Sequence, residues 1–394
     1  MRAIKEKEKK PLELQKLYLE VNLLGRPFFV LSRKEGKKLL EKAAKEQHSP
    51  IRYEQEISIG DRKLKSVWEV IPAVTLGFAG PFDKKVFTTI QQILIRQLPI
   101  KENPVRIGSL YGIAKMMGIT DCGKNKARIK ESLIRIGSTT IYTENSFYLK
   151  SRGEFWRVEG KRGASFHLWD VYWRGDRLPN GEIAECIYLH LHPPFVISLN
   201  DYYIKILDNR LYQSLKSPIA QRLYEVLSLK FYGLRDSSYV SFSYPELCQL
   251  LPITQQTYLS KAKQILRPAH KELVEKKFLE KATWRTSKGK WRILYYPGER
   301  ALAELSNDHA LGQAKATKEW WEVQAIVQDI LEVTEDEKSR AFYMRVARNC
   351  PQEIIYRVLS EVKDEWHRGR VRKSKGALFT DKIRRYCKEY KLDI

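Results

Sequence analysis

"QQTYLSKAKQILRPAHKELVEKKFLEKATWRTSKGKWRILYY", residues 255–296, carries a helical period, a turn and two strands in that order. From Gln255 to Lys277, Ala262, Ile265 and Leu266 recur at helical spacing and predict one amphipathic helix with these three turned inward. Pro268 lies inside it, removes one backbone hydrogen bond and predicts a bend. Leu279–Trp284 and Lys290–Tyr296 then read as strands flanking Ser287-Lys288-Gly289, a hairpin turn signal. The N-terminal half of the helix holds Gln255, Gln256, Tyr258, Ser260, Lys261 and Lys263; glutamine, serine and lysine are types that read base edges or hold phosphates. Arg267 and His270 near the bend are candidate phosphate contacts or merely exposed, and the hairpin adds Lys281, Arg285, Lys288, Lys290 and Arg292. Trp284 and Trp291 are expected to pack rather than to stack on bases.

Working upstream, Ser217–Phe231 reads as a long helix with Leu223, Val226, Leu227 and Phe231 inward, and Tyr244–Leu251 as a short one stopped by Pro252. The same order occurs once before. Pro81-Phe82-Asp83 opens a helix through Val86, Ile90, Ile93 and Leu94, Ser109–Met117 is short and ends at Gly118, and Lys124–Ile136 follows. Ile129, Leu133 and Ile136 face the core of that third helix, which leaves Lys124, Lys126, Arg128, Lys130 and Arg135 turned partly outward. Thr139–Tyr142 and Ser165–Trp169 are its two strands. Helix, short helix, basic helix and hairpin, written twice, is the pattern of the winged helix-turn-helix. Its third helix can enter a major groove about 12 Å wide while the hairpin lies on phosphates.

The ends differ. Leu17–Leu76 predicts short strands, over Val21–Leu31, Ile51–Ile59 and Leu64–Val70, around a basic helix Arg33–Lys45 capped by Ser32. Beyond residue 300, one helical stripe runs through Trp320, Val323, Ile326, Val327, Ile330 and Leu331 and another through Ile354, Ile355, Val358 and Val362. The run "HRGRVRKSKGALFTDKIRRYCKEYK" then carries Arg368, Arg370, Arg372, Lys373, Lys375, Lys382, Arg384 and Arg385. It is either a further DNA or acidic-protein surface or a solvated face. The expected fold class is α+β: a small α+β extension over 1–60, winged helices over 61–185 and 186–300, and a helical basic domain over 301–394.

The 394 residues contain 71 Lys and Arg against 47 Asp and Glu, a formal net charge of +24, which exceeds a solubility margin and points to a polyanion. No apolar run reaches the ~20 residues of a membrane span, and no apolar stretch behind MRAIKEKEKK makes a secretory signal. Cys122, Cys186, Cys248, Cys350 and Cys387 are scattered, so free thiols in a reducing cytoplasm are expected.

One stretch invites a catalytic reading. "CIYLHLHPPFVISLNDYYIKIL", residues 186–207, has the His-apolar-His strand of metal-dependent nickases and then Tyr202-Tyr203-Ile204-Lys205. Tyr202 lies only ten residues past His192, Pro193-Pro194 breaks the strand, and no third ligand is evident, so a nickase is the weaker reading. Glu159-Gly160-Lys161 lacks an acidic partner, no phosphate-binding Gly-Lys-Ser/Thr loop is present, and no cysteine or histidine spacing suits zinc. No catalytic residue, metal or cofactor is assigned.

Four stretches resemble plasmid replication initiators of the tandem winged-helix kind often called replication initiator protein A. They are "SVWEVIPAVTLGFAGPFDKKVFTTI" (66–90), "KARIKESLIRIGSTTIY" (126–142), "ISLNDYYIKILDNRLYQSLKSPIAQRLYEVLS" (197–228) and "AKQILRPAHKELVEKKFLEKATW" (262–284). The resemblance covers roughly residues 60–300. It implies a bacterial cytoplasmic protein, associated with nucleoid or plasmid, that binds repeated origin sites in double-stranded DNA, opens the origin and recruits host helicase or initiator proteins. It also implies a chain that switches between homodimer and monomer. A winged-helix repressor, or an initiator-like subunit of a mobile-element or defence system, is the alternative.

Overall fold

The computed structural model describes residues 16–43, 49, 51–59, 62–234, 238–287, 289–305, 320–368 and 374–389. The chain divides between Leu305 and Ser306 into two units. Both α-helices and small antiparallel sheets build the first; the second is helical among its described residues.

The first unit opens with β1 (Lys16–Glu20), α1 (Val21–Gly25), α2 (Arg33–Ala43), β2 (Arg52–Ile59) and β3 (Arg62–Ile71). Next come α3 (Pro81–Ile95), β4 (Val105–Gly108), α4 (Leu110–Met116), α5 (Gly123–Gly137), β5 (Thr140–Glu144), β6 (Tyr148–Leu149), β7 (Glu154–Phe155), β8 (Ala164–Phe166), β9 (Trp169–Tyr172) and β10 (Ile187–Leu191). After α6 (Pro193–Asn200), β11 (Ile204–Asp208) and α7 (Asn209–Ser214), the pattern restarts with α8 (Pro218–Tyr232), β12 (Val240–Ser243), α9 (Tyr244–Leu250), α10 (Leu259–Glu275), β13 (Leu279–Ser287) and β14 (Lys290–Pro297).

The repeat is a topological fact. One three-stranded sheet runs β4-β10-β9 and another β12-β14-β13, so in each copy the last strand lies between the first and the middle one. Helix starts are fixed by side chains that satisfy free amides. Ser109 Oγ accepts from Gly112 N in α4, Ser217 Oγ from Ala220 N in α8, and Ser243 with Glu246 forms a reciprocal capping box on α9. Asp83 Oδ2 accepts from Gly80 N at 2.7 Å just before Pro81. In the second copy the Glu272 carboxylate of α10 accepts from Lys216 N and Ser217 N, so the third helix also holds the start of the first.

Four differences from the sequence reading have physical causes. Val21–Leu31 is not a strand, because the Glu20 carboxylate accepts from Asn22 N and Leu23 N and starts α1 there. Ser165–Trp169 is not one strand either. Phe166 pairs with Ile141 of β5, whereas Trp169 pairs with Leu191 of β10 in another sheet. The first copy's hairpin is therefore β9 and β10 with a tip over residues 173–186; β5 and β8 instead extend β2 and β3 into the sheet β2-β3-β5-β8. Consequently the histidine strand β10 closes the first copy rather than opening the second, and a boundary at 185/186 would cut a sheet. A boundary at 60/61 falls inside the β2–β3 hairpin, where Arg52 pairs with Glu69 and Ile59 with Arg62.

Ile129, Leu133 and Ile136 of α5 and Ala262, Leu266, Ala269 and Leu273 of α10 are buried. The end of α5 sits so close to β9 that a Cβ on Gly137 would lie 2.6 Å from the Trp169 carbonyl oxygen. Only glycine allows that approach, and it lets Trp169 Nε1 donate to Leu133 O at 3.1 Å.

The two copies are joined by a buried ionic group. Lys84 Nζ of α3 lies 2.7 Å from Glu225 Oε1 of α8, and Arg222 Nη1 lies 3.0 Å from Glu225 Oε2. Tyr212 Oη donates to the same carboxylate, and Arg222 also donates to Leu24 O of α1 and Leu250 O of α9. Burial alone raises the Glu225 carboxyl, but Lys84 and Arg222 outweigh it and bring it below its ordinary value. β1 adds a second tie: it pairs with β11 from Lys16↔Asp208 to Glu20↔Ile204, while Gln91 and Gln92 of α3 bond its backbone.

In the second unit Trp320–Thr334, Arg340–Asn349, Gln352–His367 and Lys375–Glu389 are helices around Ile326, Val327, Ile330, Tyr343, Val358, Val362 and Phe379. The expected stripes are buried from Ile326 to Leu331 and at Ile355, Val358 and Val362; Ile354 is half-buried, and the side chains of Trp320 and Val323 lie outside the described residues. Among the described residues no helix is long and apolar enough to cross a membrane.

Glu225→Gln leaves Lys84 and Arg222 buried without their counter-charge. It is expected to cost the first unit about 3 kcal/mol in urea unfolding; a change near zero would show that the ion group does not hold the copies together.

Candidate nucleic-acid interface

The third helix of the first copy, α5, starts at Gly123 because Cys122 O accepts from Lys126 N and closes the first turn. Its buried side chains recur every three or four residues, so the remaining faces meet solvent. Lys124 and Lys130 are exposed and Lys126 and Arg128 half-buried. Lys126 Nζ lies 2.9 Å from Asp121 Oδ1, the Arg128 guanidinium lies 3.7 Å above the Phe82 ring, and Lys130 Nζ is 5.0 Å from the Trp173 ring. An arginine stacked in this way keeps its donors at the ring edge available.

Arg135 is different. Its guanidinium bonds Asp83 Oδ1 at 2.7 Å, Leu76 O at 2.8 Å and the Glu131 carboxylate, and its side chain is only 15 % exposed. It fastens α5 to the start of α3 and neutralises two carboxylates, so it is not turned to a partner.

In the second copy α10 begins four residues later than the sequence pattern suggests. Tyr258 is its N-cap, and Tyr258 O accepts from Ala262 N. Gln255, Gln256 and Tyr258 therefore lie in the turn before the helix, where Gln256 N donates to Tyr244 Oη at 3.2 Å and Gln256 Nε2 to Thr254 O. Tyr258 is 71 % exposed. Ser260, Lys261, Lys263, Gln264 and Arg267 form the exposed face, with Lys261 Nζ 3.4 Å from Gln264 Oε1. The helix runs through Pro268 to Glu275.

His270 is half-buried rather than exposed. Its Nε2 lies 3.0 Å from Tyr295 Oη, and burial pushes its pKa down to about 4. Trp284 and Trp291, diagonal neighbours on one face of the hairpin, both pack against Tyr244, with ring centroids 5.9 and 5.6 Å away. On the hairpin Arg285 and Arg292 are opposite each other in register and both exposed, while Lys290 is exposed at the turn. Like charges directly opposite weaken a strand pair, and an anion between them would offset that. Arg292 Nε donates to Ser241 Oγ at 3.0 Å, which fixes one of the two. Lys288 lies outside the described residues.

The first hairpin supplies cations that the sequence reading missed. Arg174 and Arg177 are exposed on its tip, which is closed by Leu178 N to Glu182 O and the Arg177↔Ile183 bridge. Pro179-Asn180-Gly181 was the available signal, with Gly181 at φ +89°.

The histidine strand is built into this sheet. His192 Nε2 lies 3.7 Å from Asp170 Oδ2, and the His167 and His192 rings are 5.8 Å apart. Burial holds His192 below its ordinary value despite Asp170. Residues 193–200 form α6 rather than continuing the strand, so a helix separates Tyr202 from the pair. Among the described residues no group of three His, Cys, Asp or Glu side chains is placed to hold a metal.

In the second unit much of the basic run is paired internally: Lys375 with Glu335, Lys382 with Glu361 and Glu365, and Arg385 with Asp381. Arg370, Arg372 and Lys373 lie outside the described residues.

No protein-family model matches the chain, and no curated protein matches it significantly. Several solved structures are similar to it, among them the following. A selenomethionine derivative of domains 2 and 3 of RctB is 15 % identical, with 62 % of this chain and 91 % of that one covered and a TM-score of 0.39. A second structure of RctB domains 2-3 is 13 % identical, with coverage of 64 % and 93 % and a TM-score of 0.31. Pi initiator protein in complex with iteron DNA is 13 % identical, with coverage of 55 % and 91 % and a TM-score of 0.34. Superpositions this loose fix neither a fold nor a function.

Because His270 is held near 4 in the folded chain against an ordinary 6.5, the unfolded chain takes up its proton first. The stability it contributes is complete above about pH 6.5 and falls by on the order of 3 kcal/mol as pH drops to about 4. Urea midpoints at about pH 7 and pH 5 should converge in His270→Phe relative to the unmodified chain; an unchanged difference would place His270 in solvent.

Proposed function

We propose that the first unit contains two winged helices in tandem, that they read duplex DNA through α5 and α10, and that the chain is a plasmid-type replication initiator. The repeated arrangement carries the DNA-binding part. Each copy has the same strand order and sets a third helix with exposed cations beside a hairpin tip with exposed arginines. The buried Lys84–Glu225–Arg222 group then keeps both copies in one unit.

On this reading α5 and α10 enter successive major grooves about 10 bp apart. Lys124, Lys126, Arg128 and Lys130 serve one groove, and Ser260, Lys261, Lys263 and Arg267 the other. Gln255, Gln256 and Tyr258 approach from the turn before α10. Arg174 and Arg177, and Arg285, Lys288, Lys290 and Arg292, follow the backbone from the hairpins. Phosphate contacts give affinity and register, while base edges give specificity.

The initiator part rests on the four resembling stretches, whose residues have structural work to do: Pro81 and Asp83 start α3, and Glu272 holds α8. Origin opening, recruitment of host helicase or initiator proteins and homodimerisation follow from the same resemblance. The chain acts by binding and cuts no bond.

Footprinting the full chain on the DNA flanking its own coding region is expected to show repeated sites spaced by whole helical turns. That DNA together with the gene should maintain a plasmid; protection without maintenance would make the protein a repressor. Lys261→Ala should weaken cognate binding about fivefold and lower the salt slope by about 1. Unchanged affinity at fixed salt would remove α10 from the groove. Arg135→Met should lower thermal stability and leave the salt slope as it is.

A further inference from the structure

The basic helix α2 has no part in either repeat, yet it touches both. Its start is fixed by Ser32, whose Oγ accepts from Glu35 N at 3.1 Å, and its inner side by buried Gly36 and Leu39. A Cβ on Gly36 would lie 3.2 Å from Val30 Cγ2, so the helix is seated closely on the segment after α1.

On one side Arg33 and Lys37 line a surface groove together with Phe82, Arg128, Glu131 and Arg135 of the first copy. The two acids near that groove, Asp83 and Glu131, are already bonded by Arg135. On another side Glu35 accepts from Thr254 Oγ1, in the turn that leads through Gln255 and Gln256 into α10. Arg33, Lys34, Lys37 and Lys38 are all exposed, and none has an ion-pair partner among the described residues. Their neighbours at i, i+3 and i+4 fall on adjoining rows of one helix. Four cations without an ion-pair partner among the described residues therefore occupy an element that borders α5 and is bonded to the turn before α10.

We infer that α2 is a third DNA-contacting element, laid on the phosphates between the two major grooves that α5 and α10 occupy. Charge complementarity selects the partner. Duplex DNA presents a negative charge every ~1.7 Å of its axis, and a contact that neutralises a phosphate releases counterions. Glu35 does not oppose this, because it is turned to Thr254. The inference rests on the reading of α5 and α10 as groove helices, and extends it by giving the N-terminal segment a role in register: α2 spans the backbone between grooves and so favours one spacing of the two half-sites.

The test uses the full chain and a mixed-sequence duplex of about 30 bp, with binding followed by fluorescence anisotropy across a salt series. Arg33→Gln, Lys34→Gln and Lys37→Gln combined should reduce the slope of log K against log salt by about 2 to 3. A control with Lys63→Gln, Lys65→Gln and Lys277→Gln removes the same charge from lysines already paired with Glu56, Glu54 and Glu299, and should leave the slope nearly unchanged. Lys34→Arg with Lys37→Arg keeps the charge and should keep the slope, which separates charge from folding. Equal slopes for the α2 and control variants would overturn the inference, as would a slope lost in the arginine variant. If the unmodified chain binds with a salt slope that the α2 variant leaves unchanged, the groove reading stands and α2 falls. If the unmodified chain does not bind duplex at all, the groove reading itself fails.

Discussion

One carboxylate, Glu225, governs the relation between the two repeats. It is 2 % exposed on its side chain and sits between the ammonium of Lys84 from α3 and the guanidinium of Arg222 from its own helix. A half-buried lysine, a buried arginine and a buried carboxylate tolerate little displacement, because separating them leaves Arg222 and Glu225 as unpaired charges in an apolar interior at several kcal/mol. Arg222 extends the constraint to α1 and α9 by donating to Leu24 O and Leu250 O. The first helix of each copy is thus tied to the first helix of the other.

A protein with this much positive charge must settle which cations it spends on itself. Arg135 and Lys84 are consumed in holding helices together, and Lys382 and Lys375 in the helical unit do the same. Others, among them Lys124 and Lys130 of α5, Lys261, Lys263 and Arg267 of α10, and Arg33, Lys34, Lys37 and Lys38 of α2, face solvent without a carboxylate among the described residues. Burial decides the division. A cation that lies over a helix start or between helices finds acids there, whereas one on a solvent face keeps its charge for a partner. Arg285 facing Arg292 across a strand pair is the clearest sign of a surface that its own chain leaves unbalanced.

Much of this is legible in the residues. The apolar spacing of Ile129, Leu133 and Ile136 places the core face of α5, and Ser32, Ser109 and Ser217 mark helix starts that the hydrogen bonds bear out. The inward role of Arg135 is not legible, because periodicity reports the angle of a side chain around its own helix and not the neighbour it meets. His270 reads as a surface group for a similar reason: it looks polar in sequence, but Tyr295 holds it in a half-buried position. The first hairpin is misplaced in the sequence pattern because two short strand-like pieces, Thr139–Tyr142 and Ser165–Trp169, lie nearer to α5 than the true pair β9 and β10. Strand pairing is a contact between distant residues, and proximity along the chain is a poor guide to it.

The sequence by itself determined the helices of each repeat, their order, the basic character of their outer faces and the helical nature of the last segment. These depend on interactions within a few residues: helical period, capping and turn chemistry. Only the tertiary structure decided that β10 pairs with β4 and β9, that β1 reaches across to β11, and that α2 borders a groove with α5 and is bonded to the turn before α10. It also decided which cations remain free. Each of these turns on groups brought together from distant parts of the chain, where packing and the need to pair buried charge outweigh any local preference.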